Sequence, residues 1–342
     1  VVLLGNNRRI IRLNGAALRL FDADVQCRDL SFMIRHPNVL AAADAVLAGK
    51  GVQRDEVTIA RDVPRQFTVH VSPVGTGGSA QGAMLVMHDV TAARNAEEMR
   101  ADFVANVSHE LRSPLSSLVG FIETLRGSAR DDPEARTRFL AIMESEALRM
   151  TRLIGDLLSL SKVEADEHIP PEDYVKLCDL LGSIADSLSV RAAARNMKIE
   201  LDVDPGLPAV IGEQDELAMV FQNLIANAIS YGREGTPITV SARSVDRIPN
   251  TGDPGIAICI ADRGEGIPPE QIPRLTERFY RVDKGRSRSM GGTGLGLAIV
   301  KSLVELQGGT LLLQSEPGSG TEVEIRLPVY QPKDTARDRP GN

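Results

Sequence analysis

The 342-residue chain contains no tryptophan, and aromatic residues make up only 4% of it. Aliphatic side chains must therefore form the cores, and the hydrophobic share of 42% is ordinary for globular domains. The length suffices for two or three domains. Cys27, Cys178 and Cys259 lie far apart with no CxxC pair, which argues against a disulfide framework or a zinc site. We expect reduced thiols in a cytoplasmic chain.

Long apolar segments and an excess of positive charge are also missing. The longest apolar runs, such as AMLVM at 83–87, fall far short of the ~18–20 residues that a membrane-spanning helix needs. The net charge of -7 argues against nucleic acid as a partner. The chain begins with Val1 inside a strand-like stretch. We therefore expect upstream sequence to be missing, and a segment there would anchor the full-length protein to the inner membrane.

Residues 1–90 mix strand-like and helical stretches, which predicts a small α/β sensor module. VVLL, VTIA, RQFTVHVSPV and AMLVMHDV are rich in β-branched residues and partly alternate. HPNVLAAADAVLAGKG predicts a helix ended by glycine, and TGGSAQG at 76–82 predicts a hairpin loop. His36, which precedes a proline, is interpreted as a surface residue, with a haem ligand as the alternative.

From Thr91 to residue 165 the apolar pattern is that of two helices. The first has a seam with steps of 3, 4, 4, 3, 4 and 3, formed by Val104, Val107, Leu111, Leu115, Leu118, Ile122 and Leu125. The second has steps of 3, 4, 3, 4 and 3, formed by Leu140, Met143, Ala147, Met150, Ile154 and Leu157. GSARDDP at 127–133 predicts the turn between them. Because one hairpin cannot cover its own seam, we predict a four-helix bundle in a homodimer.

The rest of the chain predicts a separate α/β domain. Residues 166–173 are acidic and contain prolines without periodicity, which is typical of a linker. Helical and strand-like stretches alternate over 174–330, and the tail 331–342 is predicted to be disordered. The predicted fold is thus multidomain α+β: a sensor module, a helical signalling element continuous with the hairpin, and an α/β sandwich.

The stretch FVANVSHELRSPL at 103–115 places its one histidine off the apolar seam, where it faces water. A histidine of the core would have to lie on the apolar face. A metal site would need ligands at i+3 or i+4, where Arg112 and Ser113 stand. An ordinary surface histidine stays an alternative. Exposed imidazole beside a carboxylate, here that of Glu110, can also act as a nucleophile, which makes His109 a candidate nucleophile.

A phosphate-binding site is indicated by three elements further along the chain. Asn223 and Asn227 share one face of an amphipathic helix, although buried asparagines often have a purely structural role. A DxGxG and a GxGxG that leads into a helix follow, and such loops present amide groups to phosphate. Their residues are Asp262, Gly264 and Gly266, then Gly292, Gly294 and Gly296. The chain has no GxxxxGK[ST], and the late GxGxG lacks the context of a dinucleotide fold.

These motifs resemble those of the bacterial sensor histidine kinases. FVANVSHELRSPL is similar to their phosphoacceptor box, and the asparagines and glycines resemble the ATP-binding fold that they share with Hsp90 chaperones, type II topoisomerases and mismatch-repair ATPases. The resemblance covers about residues 95–330. The domain order and QIPRLTERFYRVD are most similar to the phosphate-regulon sensor kinases, and residues 1–90 resemble a PAS domain more loosely.

The resemblance implies that ATP phosphorylates His109 beside the acid Glu110. The phosphoryl group would then pass to an aspartate on a response-regulator receiver. Ser113 stands where these kinases commonly carry a threonine that orients water for dephosphorylation of the regulator, so we expect weak phosphatase activity. Serine before Pro114 could instead cap the local backbone.

The resemblance also assigns the ATP site. Asn227 would bind Mg²⁺ with support from Asn223, Asp262 would accept from the adenine amino group, and Tyr231 would lie against the base. Residues 267–291 would form a lid with Phe279 in its phenylalanine box and Arg281 at the γ-phosphate. GSGT, with Thr321, matches the last glycine box. The lid's basic residues, any one of which could be merely solvated, are Arg274, Arg278, Arg281, Lys284, Arg286 and Arg288.

One departure keeps an alternative open. Many of these kinases carry a basic residue just before the tyrosine, where this chain has Ser230. A phosphate contact would then be missing or supplied by the lid, and a scaffold without kinase activity remains an alternative. A clamp ATPase of the chaperone or topoisomerase type would need a catalytic acid four residues before Asn223, where Met219 stands.

Overall fold

The computed structural model describes residues 1–21, 27–59, 64–75, 82–166, 173–249, 252–283 and 292–330. It divides into two compact units, Val1–Val107 and Ser108–Asn342. The predicted tail 331–342, almost all of the loop 76–82 and of the linker 166–173, and the lid residues Lys284, Arg286 and Arg288 lie outside the described residues.

None of the helices in the described ranges is both long enough and apolar enough to cross a membrane.

The first unit is built on a five-stranded antiparallel sheet with the order β2-β1-β5-β4-β3. The strands are β1 (Val2–Gly5), β2 (Ile10–Leu13), β3 (Gln53–Ile59), β4 (Arg65–Val74) and β5 (Gly82–Asp89). The four predicted strands are confirmed as β1, β3, β4 and β5. The short strand β2 was not predicted, because its four residues show no recognisable strand pattern. Alternate residues of β4, Phe67, Val69 and Val71, are buried, as expected for a sheet with one face on a core.

Two helices and one short turn of 3₁₀-helix (Leu30–Phe32) complete this core. They are α1 (Gly15–Phe21) and α2 (Pro37–Leu47). Pro37 begins α2, and Gly49, with φ of 86°, follows its end, so the predicted glycine stop is confirmed. The unit is the predicted α/β module, and its assignment as a PAS domain stays a prediction.

The predicted hairpin consists of α3 (Thr91–Arg126) and α4 (Pro133–Asp166). The helix α3 continues through Pro114, whose ring is buried. Asp132 accepts a hydrogen bond from the amide of Ala135 at 2.9 Å and so caps α4. The rings of Phe121 and Phe139 stack at 5.3 Å across the hairpin. Much of the predicted seam is exposed in the single chain, including Leu115 (53%), Ile122 (43%), Leu140 (52%) and Ile154 (46%).

The remaining domain contains a five-stranded sheet in the order β11-β12-β10-β9-β7, with β7 and β9 parallel and the other pairs antiparallel. Its strands are β7 (Lys198–Val203), β9 (Pro237–Val245), β10 (Gly255–Asp262), β11 (Thr310–Glu316) and β12 (Gly320–Pro328). A separate pair is formed by β6 (Tyr174–Val175) and β8 (Val210–Ile211). The helices are α5 (Leu177–Ala193), α6 (Gln214–Tyr231) and α7 (Gly296–Leu306), with a turn of 3₁₀-helix at Ile272–Arg274.

The amphipathic pattern of α6 positions the site. Seven of its apolar residues recur at helical spacing and are buried: Leu217, Val220, Phe221, Leu224, Ile225, Ala228 and Ile229. Asn223, Asn227 and Ser230 lie at spacings of four and three on another face of the helix. Burial of the apolar stripe therefore directs these three polar side chains away from the core.

Candidate nucleotide site and phosphoacceptor helix

A cavity of about 410 Å³ opens where α6, β10 and the loop before α7 meet. Its lining brings together most of the predicted nucleotide residues: Asn223, Asn227, Tyr231, Asp262, Gly264, Gly266, Arg281, Gly292, Gly294, Gly296 and Thr321. Phe279 does not line the cavity. The volume falls in the usual range for small-molecule sites.

The two asparagines play different parts. The Asn223 amide donates to the carbonyl of Met219 at 2.9 Å, so this side chain is held by its own helix. Gly296, which begins α7, lies so close that a Cβ there would come within 2.8 Å of Asn223 Oδ1. Asn227 lines the cavity, and no hydrogen bond joins its amide to any of the described residues. Asn223 therefore fixes the approach of α7, whereas the Asn227 amide is not committed to another described residue.

Asp262 is the last residue of β10 and lines the cavity. Its Oδ1 accepts from the amide of Gly264 at 2.7 Å, and Thr321 pairs with it across the sheet on β12. Burial raises the pKa of the Asp262 carboxyl, while hydrogen bonds from the amides of Gly264 and Thr321 act in the opposite direction. A half-buried carboxylate with spare acceptor capacity suits a donor such as an exocyclic amino group.

Glycine is required where the loops approach each other. At Gly266, with φ of 71°, a Cβ would lie 1.9 Å from the carbonyl oxygen of Glu316. At Gly294, with φ of 75°, it would contact the backbone of Phe279, whose amide donates to the Gly294 carbonyl at 2.8 Å. Phe279 itself has φ of 62°. Phe279 thus ties the phenylalanine box to the glycine loop through its backbone.

The hairpin also contributes to the cavity wall, a contact that the sequence did not predict. Arg152 and Asp156 of α4 line it. Asp156 Oδ2 accepts from the hydroxyl of Thr293, in the glycine loop, at 2.6 Å. Burial raises the pKa of Asp156, and the hydrogen bond from Thr293 and the charge of Arg152 oppose that rise. Arg149, Arg152 and Asp156 recur at steps of three and four, a charged stripe that could have been noticed beside the apolar seam.

His109 is exposed on α3, as predicted, and does not line the cavity. Its neighbour Glu110 is partly buried. Glu110 Oε2 accepts from Nη2 of Arg149 and, at 3.1 Å, from Nη2 of Arg281. The two arginine side chains are only 7% and 5% exposed, so this carboxylate is held by two largely desolvated guanidinium groups.

Arg281 therefore connects the two halves of the site. It lines the nucleotide cavity and pairs with the residue beside His109. Its predicted contact with a γ-phosphate stays a prediction. Among the other lid residues, Arg274 pairs with Glu277 at 3.2 Å and lies 4.3 Å from the ring centre of Tyr280, outside the cavity lining.

Ser113 lies one turn after His109 on α3 and is exposed. Its carbonyl accepts from the hydroxyl of Ser117 at 3.2 Å. Its own hydroxyl forms no hydrogen bond with any residue in the described ranges, which disfavours a capping role.

The helical hairpin with an exposed histidine and the glycine-lined cavity define a phosphotransfer class of protein. Residues 99–166 match the His Kinase A (phospho-acceptor) domain, and residues 212–331 match the histidine kinase-, DNA gyrase B- and HSP90-like ATPase. The chain belongs to the sensor histidine kinases.

Curated relatives agree with these matches. The chain is 38% identical to the phosphate regulon sensor protein PhoR of Pseudomonas aeruginosa over 263 residues, 77% of this chain and 57% of PhoR. It is 36% identical to the sensor-like histidine kinase SenX3 of Mycolicibacterium smegmatis over 75% of this chain and 64% of SenX3. It is 35% identical to the sensor histidine kinase WalK of Bacillus subtilis over 74% of this chain and 41% of WalK. The chain thus spans only part of the length of these relatives.

Solved structures show the same fold. The histidine kinase ThkA, crystallised in complex with the response regulator protein TrrA, matches 96% of this chain and 95% of its own with a TM-score of 0.53 and 20% identity. The histidine kinase AdeS of Acinetobacter baumannii matches 65% of this chain and 98% of its own with a TM-score of 0.50 and 24% identity.

Proposed function

We propose that this chain catalyses transfer of the γ-phosphoryl group of ATP to His109 and then to an aspartate on a response-regulator receiver. The observation that carries the proposal is the position of Arg281, which lines the nucleotide cavity and also pairs with Glu110, next to His109. The Arg281 side chain thus links the proposed ATP site to Glu110, the residue next to the proposed phosphoryl acceptor His109. The match to the phospho-acceptor domain supports the same reaction.

In the proposed first step, a ring nitrogen of His109 attacks the γ-phosphorus, an N–P bond forms, and the P–O bond to ADP breaks. Glu110 would orient the imidazole and accept its proton. Arg149 and Arg281 pair with the Glu110 carboxylate and so fix its position beside His109. Positioning and charge neutralisation supply most of the catalysis in phosphoryl transfer, which suits a site built from arginines and backbone amides.

Mg²⁺ is proposed as the companion of ATP. The Asn227 side chain lines the cavity and carries an amide oxygen, and Mg²⁺ favours oxygen ligands, with most of its coordination supplied by phosphates and water. Asn227 fits a single protein ligand of this kind. The ion would neutralise phosphate charge when bound.

The exposed apolar seam of the hairpin supports a homodimer as the working form. Leu115, Ile122, Leu140 and Ile154 are large apolar residues exposed at the spacing of a coiled-coil seam. A second copy of the hairpin would cover them in a four-helix bundle. The module at 1–90 is proposed to act as a PAS-like sensor whose signal enters through the continuous helix α3.

The reaction is tested by incubating the chain with γ-labelled ATP and Mg²⁺. We expect the protein to gain a phosphate that is labile in acid and stable in alkali, as a phosphoramidate is. A clamp ATPase would release labelled phosphate without labelling the protein, and a scaffold would do neither.

A further prediction concerns dephosphorylation of the regulator. The Ser113 hydroxyl is exposed one turn from His109, where it could hold a water against the phospho-aspartate. Ser113→Ala should lower the regulator's dephosphorylation rate about tenfold and leave labelling of the kinase unchanged. Ser113→Thr should match or exceed the parent, because the added methyl restricts χ1.

Decay of a phosphorylated receiver, followed with each variant and ADP, measures this effect. Ser116→Ala, a change at an exposed residue of the same helix, is the matched control. If the phosphorylated receiver decayed equally fast with the parent and with Ser113→Ala, the water that attacks the phospho-aspartate would be held by another residue.

A further inference from the structure

The cavity has a cationic side chain that no sequence motif indicated. Arg191, near the end of α5, lines the cavity together with Ser230 of α6. Its Nη2 donates to the Ser230 hydroxyl oxygen at 2.9 Å. That hydroxyl in turn donates to the carbonyl of Ala226 at 2.7 Å, so its proton is engaged and a lone pair faces the arginine. Ser230 therefore fixes the guanidinium against α6.

The anchoring point lies beside the proposed phosphate region. Ser230 follows Asn227 by three residues, which places both side chains on the same face of α6. The Arg191 guanidinium is thus held about one helical turn from Asn227, the proposed ligand of Mg²⁺. It crosses to this position from a different helix, 39 residues earlier in the chain.

Two further arginines, Arg152 and Arg195, lie near Arg191, and Arg152 also lies near the carboxylate of Asp156. Partial burial first, then the charges of Arg152 and Arg195, lower the pKa of the Arg191 guanidinium. No ion pair joins it to a carboxylate of the described residues. An arginine stays protonated under such conditions, so the cluster favours a multiply charged anion in the cavity.

Arg195, four residues on, has a different role. Its Nη1 donates to the carbonyl oxygens of Ile229 and, at 2.8 Å, Ser230. It thereby satisfies carbonyls at the C-terminal end of α6. Arg195 is committed to the backbone, whereas the Arg191 guanidinium, fixed by one hydroxyl, has donors to spare for a ligand.

We propose that Arg191 is a phosphate-binding residue of the nucleotide site, supplied by α5 and oriented by Ser230. This inference rests on the proposed function, because it takes the ligand to be ATP. Many of these kinases carry a basic residue at the position of Ser230. In this chain Arg191, on another helix, would supply that positive charge to the cavity.

The test compares binding of Mg-ATP by calorimetry with binding of adenosine by NMR titration. Arg191→Gln should weaken Mg-ATP about 10-fold to 100-fold, the usual effect of losing a charge-assisted hydrogen bond, and leave adenosine within twofold. Adding Ser230→Lys to Arg191→Gln should restore at least a third of the lost affinity, because the cation returns at the same face. Arg243→Gln removes an equal charge from a pair with Asp202 outside the cavity and should change neither ligand.

The outcomes separate this inference from the proposed function. If Asn227→Ala weakens Mg-ATP binding about 100-fold but Arg191→Gln weakens it less than twofold, the assignment of Arg191 is wrong and the proposed function stands. If Arg191→Gln weakens adenosine as much as Mg-ATP, Arg191 supports the fold rather than the phosphates. If the parent chain binds no Mg-ATP, the proposed function fails, and this inference with it.

Discussion

Replacing His109 by glutamine should reduce incorporation of labelled phosphate to background, a loss of roughly a thousandfold or more, since the nucleophile itself is removed. Affinity for Mg-ATP should stay within twofold of the parent, because His109 does not line the cavity. The dimer should also persist, since His109 lies off the apolar seam and is exposed. Labelling, calorimetry and sedimentation measure the three properties.

His88→Gln is the matched control, because His88 is an exposed histidine on β5. It should label at the parent's rate. Retained labelling of His109→Gln would show that another residue accepts the phosphoryl group and would overturn the proposed reaction. Loss of labelling in both variants would mean that the effect is not specific to His109.

Asn227→Ala should weaken Mg-ATP about 100-fold and lower the labelling rate at least as much, because the proposed single protein ligand of the ion is lost. Adenosine binding should be little changed, since adenine recognition is assigned to Asp262. The fold should survive, because the Asn227 amide has no hydrogen-bond partner among the described residues that the alanine would leave unsatisfied. Calorimetry at saturating Mg²⁺ and a thermal melt measure both effects.

Gln222→Ala, at an exposed position of the same helix, should behave like the parent. Asp262→Ala provides the complementary variant, which should lose adenosine and ATP alike. If Asn227→Ala bound Mg-ATP with unchanged affinity, the ion would be held by another residue.

Much of the fold follows from local patterns that the structure confirms. The seam steps of three and four placed both helices of the hairpin, and Pro133 marked the start of α4. The apolar stripe of α6 predicted which face would carry Asn223 and Asn227. The glycine boxes were detectable because the backbone approaches at Gly266 and Gly294 leave no room for a side chain. Such features depend on neighbours in sequence or on steric limits of single residues.

The contacts that were missed depend on pairs far apart in sequence. Arg281 and Glu110 are separated by 171 residues, and Thr293 and Asp156 by 137. Arg191 reaches Ser230 across 39 residues. A charged residue on a helix is most often simply solvated, so nothing in the local pattern of Arg191 distinguished it. Only the packing of α5 against α6, and of the hairpin against the glycine loop, gives these side chains their partners.

The wall that α4 contributes to the nucleotide cavity has a thermodynamic consequence. Because Arg152 and Asp156 line the cavity and Asp156 bonds to Thr293 of the glycine loop, the free energy of nucleotide binding includes the position of the hairpin. Linkage is reciprocal, so if a movement of α4 changed the affinity for nucleotide by some factor, bound nucleotide would change the equilibrium of that movement by the same factor. Any movement of these helices that alters the cavity would therefore be coupled to nucleotide occupancy.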